Sequence, residues 1–517
     1  MLWIALHLPL LSLESFAATL PPEAHGRPLA LVDAQEILGA NAPARALGVE
    51  PGIKRATALA LAPHLLLGAA DPARDAQALQ AVAHAALAFT PMVTVQPPDG
   101  PVSAPSDDTP HTVLLEVQAS LRCFGGLPAL RRRLRDVLAP LGHRVHMVSA
   151  GTALGAAWLA RVHADLGCAD LPATGHALDR APVALLRPGR VPREAFQAMG
   201  LHTLADLKRV PRDGLARRFG PELLDALDRA RGLQPDPREA LILPAAFDSR
   251  LELFERTDSA RPLLHAAMVL LERLVAWLSA QHAFVRRFTL AMAHEQRSRH
   301  DLPTASTVLE VALAEPSRDG THLLALLRER LVQLPAPTME LRLQAVDIAR
   351  RASPNAELFP TPASEHEGLT RLIERLQARL GREQVQRLEP RPDHRPERAT
   401  AWRTADARQS PRPGRAMAAA AGSAVLPPEG QAPARPVWLL QRPVPLPDSA
   451  HGPRLDGQPL QLLSGPERIE SGWWDAERVE RDYFIAQLPE GALVWIYRER
   501  VPVGCAGLGW FLQGRFG

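Results

Sequence analysis

The spacing of hydrophobic positions changes several times along the chain, and each change marks a module. Residues 2–8 (LWIALHL) form an unbroken apolar run that stops before Pro9, the pattern of a buried central strand. PLALVD at 28–33 predicts another strand. A turn-rich segment follows, then a helix that starts after Gly52 and a helical stretch at 75–89. VLLEVQ at 113–118 alternates as a strand, Phe124-Gly125-Gly126 turns the chain, and 127–139 reads as a basic helix. RVHMVSA at 144–150 is again a strand, followed by a helix at 152–164. Strand, small insert, then alternating helices and strands predict a mixed α/β domain.

Between 185 and 232 the pattern breaks into short helices separated by Gly and Pro. Thr203 with Asp206 has the spacing of a capping box, and Pro211 and Pro221 suit first helical turns. From 247 to 346 the order β-α-β-β-α-β predicts a small sheet with two helices on one face. Its alternating strand positions are Leu251/Leu253, Phe288/Leu290/Met292, Leu309/Val311/Leu313 and Met339/Leu341/Leu343. Residues 388–460 hold 14 prolines with scattered arginines, which predicts a disordered linker. The tail 465–517 regains aromatics (Trp473, Trp474, Tyr483, Phe484, Trp495, Tyr497, Trp510, Phe511) and predicts a small antiparallel β unit.

Composition sharpens this picture. The 517 residues allow several domains, and 46% hydrophobic content suffices for real cores. Charge is nearly balanced at +3, but residues 1–120 carry 5 basic and 11 acidic groups, against 19 and 12 in residues 121–240. A basic middle points to a local phosphate or nucleic-acid surface. Only Lys54 and Lys208 are lysines, and the arginine forks that replace the rest suit bidentate phosphate contacts. Cys123, Cys168 and Cys505 lie too far apart for a disulfide framework or a CxxC zinc site, so a reducing, cytoplasmic setting is expected. His143 and His146 read as solvated loop residues. No apolar run of membrane-spanning length is evident. The N-terminus lacks the positive region and cleavage site of a secretory signal, and a buried first strand explains it better.

The module order is similar to that of the Y-family DNA polymerases, and local sequences carry the resemblance over about 1–348. ARALGVEPG at 44–52 resembles the family's fingers motif, and LLEVQASLRCFGG at 114–126 the strand after its catalytic pair. SAGTALGAAWLAR at 149–161 resembles the next palm strand and helix. MGLHTLADLKRVPRDGLARRFG at 199–220 resembles the helix-hairpin-helix region of the thumb. FGG after the palm strand and ESGWWDAERVERDYFIA in the tail resemble the ImuB family, the polymerase-like members of bacterial mutagenesis cassettes. The resemblance implies a palm with fingers at 1–165 (fingers about 17–75), a thumb at 166–238 and a little finger at 240–348. A clamp-peptide segment with a helix would follow at 349–387, then the linker at 388–460 and a β-rich domain at 461–517.

Nucleotidyl transfer needs two Mg²⁺ ions held by hard carboxylate oxygens. The resemblance puts His7 and Pro9 where the family carries Asp-x-Asp, and His111 and Thr112 where it carries Asp-Glu. Glu116 matches a later acidic residue that is not a ligand. Asp107 and Asp108 lie too far from Glu116 for the family's spacing. A slipped register would rescue one ligand at most. Two histidines without a third ligand do not make a zinc site, and no metal or cofactor is expected. Leu11 and Ser12 stand where the steric-gate aromatic is expected. Ala42 replaces the fingers tyrosine, while Arg45 remains as a phosphate-binding candidate.

The retained chemistry is that of a DNA-holding body. Backbone N–H groups at Gly-containing hairpins can bind phosphate without reading bases. Lys208, Arg209, Arg212, Arg217 and Arg218 surround that region. Arg286 and Arg287, with Arg297 and Arg299, flank the strand 286–293. Arg131, Arg132, Arg133 and Arg135 form either a solvated face or a partner surface. Asn355-Ala356-Glu357-Leu358-Phe359 resembles a bacterial clamp-binding peptide. Leu358 and Phe359 match that motif, while Asn355 and Ala356 depart from it. The resemblance therefore implies a catalytically dead scaffold in SOS-linked translesion synthesis and mutagenesis. Its partners would be DNA, the sliding clamp, the RecA-like ImuA and an error-prone DnaE-type polymerase. The alternatives are an active Y-family translesion polymerase with shifted ligands and a general DNA-binding module.

Overall fold

The computed structural model describes residues 1–24, 26–96, 111–186, 196–294, 306–331, 337–350, 362–405, 435–449, 452–475, 477–500 and 509–516. Two compact units divide the chain, Met1–Thr361 and Pro362–Gly517.

The first unit is built around β1 (Trp3–His7). It is the middle strand of the sheet β5-β6-β1-β7-β8, with β5 at Val93–Val95, β6 at Thr112–Glu116, β7 at His146–Ala150 and β8 at Asp165–Gly167. β1 runs antiparallel to both β6 and β7. Side chains alternate across a strand, so its unbroken apolar run feeds two cores. Ile4, Leu6 and Leu8 meet Val82 of the Pro72–Leu87 helix and Leu130 and Leu134 of the Leu127–Leu138 helix. Trp3 and Ala5 join Ala156, Trp158 and Leu159 of the Ala153–Val162 helix, along with the short helices up to Arg231.

A small sheet ordered β3-β2-β4 lies in the insert, from β2 (Leu29–Asp33), β3 (Glu36–Ala40) and β4 (Leu66–Ala69). Gly68 of β4 lies against the Phe16 ring, and a Cβ there would stand 2.5 Å from a ring carbon, so no larger residue fits without movement. The four-stranded sheet β11-β10-β12-β9 comprises β9 (Asp248–Thr257), β10 (Ala283–His294), β11 (Ser306–Ser317) and β12 (Thr338–Arg350). The helices Ala260–Ala280 and Gly320–Arg330 accompany it, as the alternation predicts.

The Ala260–Ala280 helix, with mean hydropathy 1.5, is the one described helix long and apolar enough to cross a membrane. The sequence reading finds no such run. Here its apolar side is buried in this unit. Its Arg273 is buried and reaches Gln77 Oε1 and Ser249 Oγ at 3.2 Å each, tying this helix to the Pro72–Leu87 helix. Burial lowers the Arg273 guanidinium to about 10.

The second unit corrects the expected extent of the linker. β13 (Gln386–Pro390) and β14 (Thr400–Thr404) form a hairpin inside it. β15 (Trp438–Leu446), β16 (Asp448–Ser449), β17 (Gly452–Leu455) and β18 (Gln458–Pro459) also lie within it. Of 388–460, only 406–434 and 450–451 fall outside the described residues. The main antiparallel sheet is β15-β22-β21-β20-β19, completed by β19 (Gln461–Ser471), β20 (Val479–Gln487), β21 (Leu493–Glu499) and β22 (Trp510–Arg515). The β13–β14 turn docks on it through charge. Arg395 is clasped by Asp393 and Asp475, and Glu397 accepts from Arg481 at 2.8 Å and from Gln513 at 2.9 Å. Tyr483 donates to Gln513 at 2.6 Å beneath the stacked Trp495 ring. Proline content alone hid these strands. Proline is tolerated at edges and hairpin ends, and long-range ion pairs fix the rest.

His84 is buried in the Pro72–Leu87 helix, and its Nε2 meets no hydrogen-bond partner among the described residues. Burial lowers it to about 4. An unfolded imidazole titrates near 6.5, so below that pH the unfolded chain takes up a proton that the folded chain refuses. Stability is therefore expected to be fully present above about pH 6.5. It should fall by about 1.4 kcal/mol per pH unit as pH drops toward 4. Urea unfolding at stepped pH measures this, and His84→Leu should flatten the slope.

Candidate functional site

At the carboxyl end of β1 the chain turns through Pro9 into the Leu11–Ala17 helix, and polar side chains collect there. His7 pairs in register with Thr112 on β6 and His146 on β7. Its Nδ1 lies 2.9 Å from Thr112 Oγ1, and its ring centroid 5.9 Å from that of His146. One turn on, Ser12 and Ser15 each donate to one oxygen of Asp75, a buried carboxylate in the first turn of the Pro72–Leu87 helix. His111 Nε2 stands 3.3 Å from Ser12 Oγ. Burial lowers the His111 imidazole below its ordinary range, opposed by Asp75. Arg74 closes the chain from its Nε to Ser15 Oγ at 3.3 Å. Burial also lowers this guanidinium, opposed by Asp75, Asp71 and Glu252.

This corner contains serine, histidine and aspartate, but not in hydrolase order. In a triad the carboxylate orients the imidazole and the imidazole activates the hydroxyl. Here Ser12 lies between the other two and donates its hydrogen bond to Asp75, so Asp75 does not orient His111 as a triad base. Both Asp75 oxygens already accept from serine. Among the described residues no group of three or more His, Cys, Asp or Glu is arranged to hold a metal ion. Asp107 and Asp108 lie outside the described residues.

Two sequence expectations about this region are corrected. His146 is a strand residue whose Nδ1 meets the Ala160 carbonyl oxygen at 3.0 Å, and the His143 side chain is only 10% exposed, 3.5 Å from Glu14. Neither is a solvated loop residue. Arg131 is not part of a uniform basic face. It donates to the Met147 and Leu166 carbonyls and pairs with Asp165, stitching β7 to β8.

The structure divides the expected phosphate-binding residues by their local partners. Lys208 is paired with Asp179 at 2.6 Å, and Arg212 grips the buried Asp228 through both terminal nitrogens at 3.1 and 2.6 Å. Arg209 lies 3.7 Å from Asp206 and is 83% exposed. Backbone N–H groups of Thr203 and His202 hold the Asp206 carboxyl below the usual carboxylate range, which realises the expected capping spacing from the acid's side. Arg217 and Arg218 are exposed in the last turn of the Arg212–Phe219 helix, with Arg218 5.7 Å from the Phe219 ring centroid.

Arg286 and Arg287 are consecutive on β10 and both exposed. A register shift between Val285 and Arg287 accounts for it, since a bulge re-aims side chains that would otherwise alternate. Arg287 lies 3.5 Å from Glu310. Arg45 is exposed at the end of the Ala42–Ala46 helix, which Asn41 caps. Asn355, Leu358, Phe359, Arg297 and Arg299 lie outside the described residues. The corner network of Ser12, Ser15, Asp75 and His111 was missed from sequence. Its members come from three segments, and only the Ser12/Ser15 spacing is a local signal.

A five-stranded sheet with a small insert, a short-helix segment and a four-stranded sheet, followed by a β-rich C-terminal unit, define the class, a mixed α/β multidomain protein. No family model matches the chain. It is 30% identical over 495 residues to Protein ImuB of Caulobacter vibrioides strain NA1000 / CB15N, covering 91% of this chain and 100% of that relative. The same figures hold for the ImuB of strain ATCC 19089 / CIP 103742 / CB 15. The chain belongs to the ImuB family. Among solved structures it is similar to a Dbh ternary complex (17% identity, TM-score 0.38, 66% of this chain and 98% of that one). It is also similar to DinB from Sulfolobus solfataricus (16%, TM-score 0.37, 67% and 98%).

Removing the Asp75 carboxylate takes away the acceptor that Ser12 and Ser15 share, leaving the buried Ser15 hydroxyl only the Ser12 carbonyl at 3.0 Å and Ser12 only the His111 imidazole at 3.3 Å. Asp75→Ala should therefore cost about 1–3 kcal/mol of stability. Urea midpoints of the two proteins measure it.

Proposed function

We propose that the chain is a non-enzymatic scaffold of translesion synthesis. It would bind primer-template DNA and bring together the sliding clamp, ImuA and an error-prone DnaE-type polymerase. One observation carries the reading: His7 and Thr112, which the resemblance to Y-family polymerases sets at metal-binding carboxylate positions, face each other as a hydrogen-bonded cross-strand pair. An imidazole and a hydroxyl offer Mg²⁺ no anionic oxygen, so the charge stabilisation that drives phosphoryl chemistry is lacking. Pro9 and His111 extend the same substitution. ImuB membership supports the setting of induced mutagenesis. Leu358 and Phe359, with Asn355, are the proposed clamp anchors, and Arg45 is a proposed phosphate contact.

The purified protein is expected not to extend a primer with Mg²⁺ or Mn²⁺. Template-directed extension that disappears in an Asp107→Ala/Asp108→Ala variant would overturn the scaffold reading and favour a polymerase with shifted ligands.

DNA binding should be sequence-tolerant and fall steeply with salt, because phosphate contacts release counterions. Arg217 and Arg218 are better placed to contribute than Lys208 and Arg212, whose charges already face Asp179 and Asp228. Arg217→Ala/Arg218→Ala should flatten the plot of log affinity against log salt by up to about two charges. Fluorescence anisotropy across a salt series reads the slope, and an unchanged slope would remove this helix from the DNA surface.

A further inference from the structure

The turn 391–399, between β13 and β14, docks on the second unit's main sheet through polar contacts. Its sequence, RPDHRPERA, holds no apolar side chain larger than proline. Arg395 reaches Asp475 at 3.0 and 2.8 Å, and Arg398 reaches the same carboxylate at 3.3 Å. Glu397 bridges two strands, accepting from Arg481 at 2.8 Å through one oxygen and from Gln513 at 2.9 Å through the other. Beside these contacts stand the only two tyrosines of the chain. Tyr483 donates to Gln513, and Arg481 Cζ lies 4.6 Å from the Tyr497 ring centroid. Tyr483 stacks on Trp495 at 4.2 Å and Tyr497 on Phe511 at 5.2 Å. A second guanidinium, Arg435, sits 4.9 Å from the Trp495 centroid and carries Glu467. Burial raises both phenols, Arg481 opposes it, and the Glu397 charge, within reach of each, raises them further.

We propose that this turn is a displaceable strap, and that the surface it covers binds single-stranded nucleic acid. Glu397 spans Arg481 and Gln513 with its two oxygens, as two oxygens of a phosphate would. The match is incomplete, because Glu397 engages only Nη1 of Arg481. Arg481 Nε is buried and meets no hydrogen-bond partner among the described residues. A phosphate, with a further oxygen, can take the guanidinium side-on through Nε and Nη together. Arg481 and Arg435, already seated over aromatic rings, offer planes on which unpaired bases stack. Release of the strap is accessible. Glu397, Arg398 and Asp475 are 33%, 37% and 30% exposed, and exposed ion pairs hold weakly. Arg395 is buried, but it carries its own counter-ion. Asp393 accepts from its Nε at 3.0 Å and its Nη2 at 2.7 Å, so parting from Asp475 leaves no bare charge. A duplex keeps its bases stacked inside and has none to offer these planes. An acidic peptide would match the guanidiniums and leave the planes unused. The site lies in the second unit and does not rest on the scaffold reading.

The test uses the full chain carrying Arg217→Ala/Arg218→Ala, so that contacts in the first unit do not mask a second site. Glu397→Ala/Arg398→Ala removes one charge of each sign and leaves net charge unchanged. This variant should bind labelled oligothymidylate at least tenfold more tightly than its parent. The gain should be smaller for a duplex of equal length and absent for polyglutamate. Nitration by tetranitromethane, followed by nitrotyrosine absorbance, reads Tyr483 and Tyr497 alone. It should be slow in the parent, at least threefold faster in the variant, and slow again when oligothymidylate is added. Unreactive tyrosines in the variant, unchanged affinity, or no protection by oligothymidylate overturns the proposal. An equal gain for the duplex would assign the surface to phosphate without stacking, and an equal gain for polyglutamate to an acidic protein; either also overturns it. Because unfolding would free the tyrosines too, Glu397→Gln, which keeps the side-chain shape, is run alongside. At unchanged Tm it should show a smaller gain in the same direction, and no gain in that folded variant overturns the proposal.

Discussion

Burial of β1 on both faces is the constraint on which the first unit depends. Five residues, Trp3–His7, lie between two strands and between two cores. A strand so enclosed can carry polar groups only where it leaves the sheet, because an unpaired polar side chain inside would lose its water without a replacement. His7 occupies that exit, already half out of the core and within reach of Thr112. The position of the polar corner is thus a consequence of sheet order. The chemistry it supports is decided separately, by which side chains stand at the exit.

The same separation governs the basic residues. Arginine count in the middle of the chain is a sequence property, but availability is set by the carboxylate each cation meets. Arg131 satisfies strand carbonyls, Arg212 satisfies a buried aspartate, and Arg273 is buried against the neutral Gln77 and Ser249 side chains. Arg217 and Arg218 remain at the surface because the Arg212–Phe219 helix buries Leu215 and turns its last turn outward. A positive cluster in the sequence therefore resolves into structural cations and surface cations, and only the second kind contributes fully to a salt-dependent surface contact.

Local periodicity carried the elements well. The run 2–8 and the leucine stripe of the Ala260–Ala280 helix emerge where their spacing says; the strand expected at 113–118 forms at Thr112–Glu116 but is buried on both faces, and alternation in β10 resumes only after Arg287. Long-range polar pairing was illegible. Nothing near Asp75 announces Ser12 and Ser15, and nothing near Arg395 announces Asp475. That is also why 388–460 misled. Its composition is poor in core-forming residues, and the strands there are stabilised by partners some eighty positions away, such as Arg481 for Glu397. The exposure of Arg286 and Arg287 together escaped for a related reason, since a register shift is a property of strand pairing and leaves no mark in the residues themselves.

Under the scaffold reading, the polar corner has an energetic logic of its own. Carboxylates gathered within metal-bridging distance repel one another, and without bound cations some of them must take up protons or the site must open. Active centres accept that cost because the assembled charge does the chemistry, which is one source of the trade between activity and stability. An imidazole facing a hydroxyl removes the repulsion between carboxylates and supplies a hydrogen bond in its place. The nearby Asp75 carboxylate is satisfied in a different way, by a serine donor on each oxygen. With its side chains hydrogen-bonded to one another, the corner needs no cluster of negative charge to hold the end of β1 in the sheet.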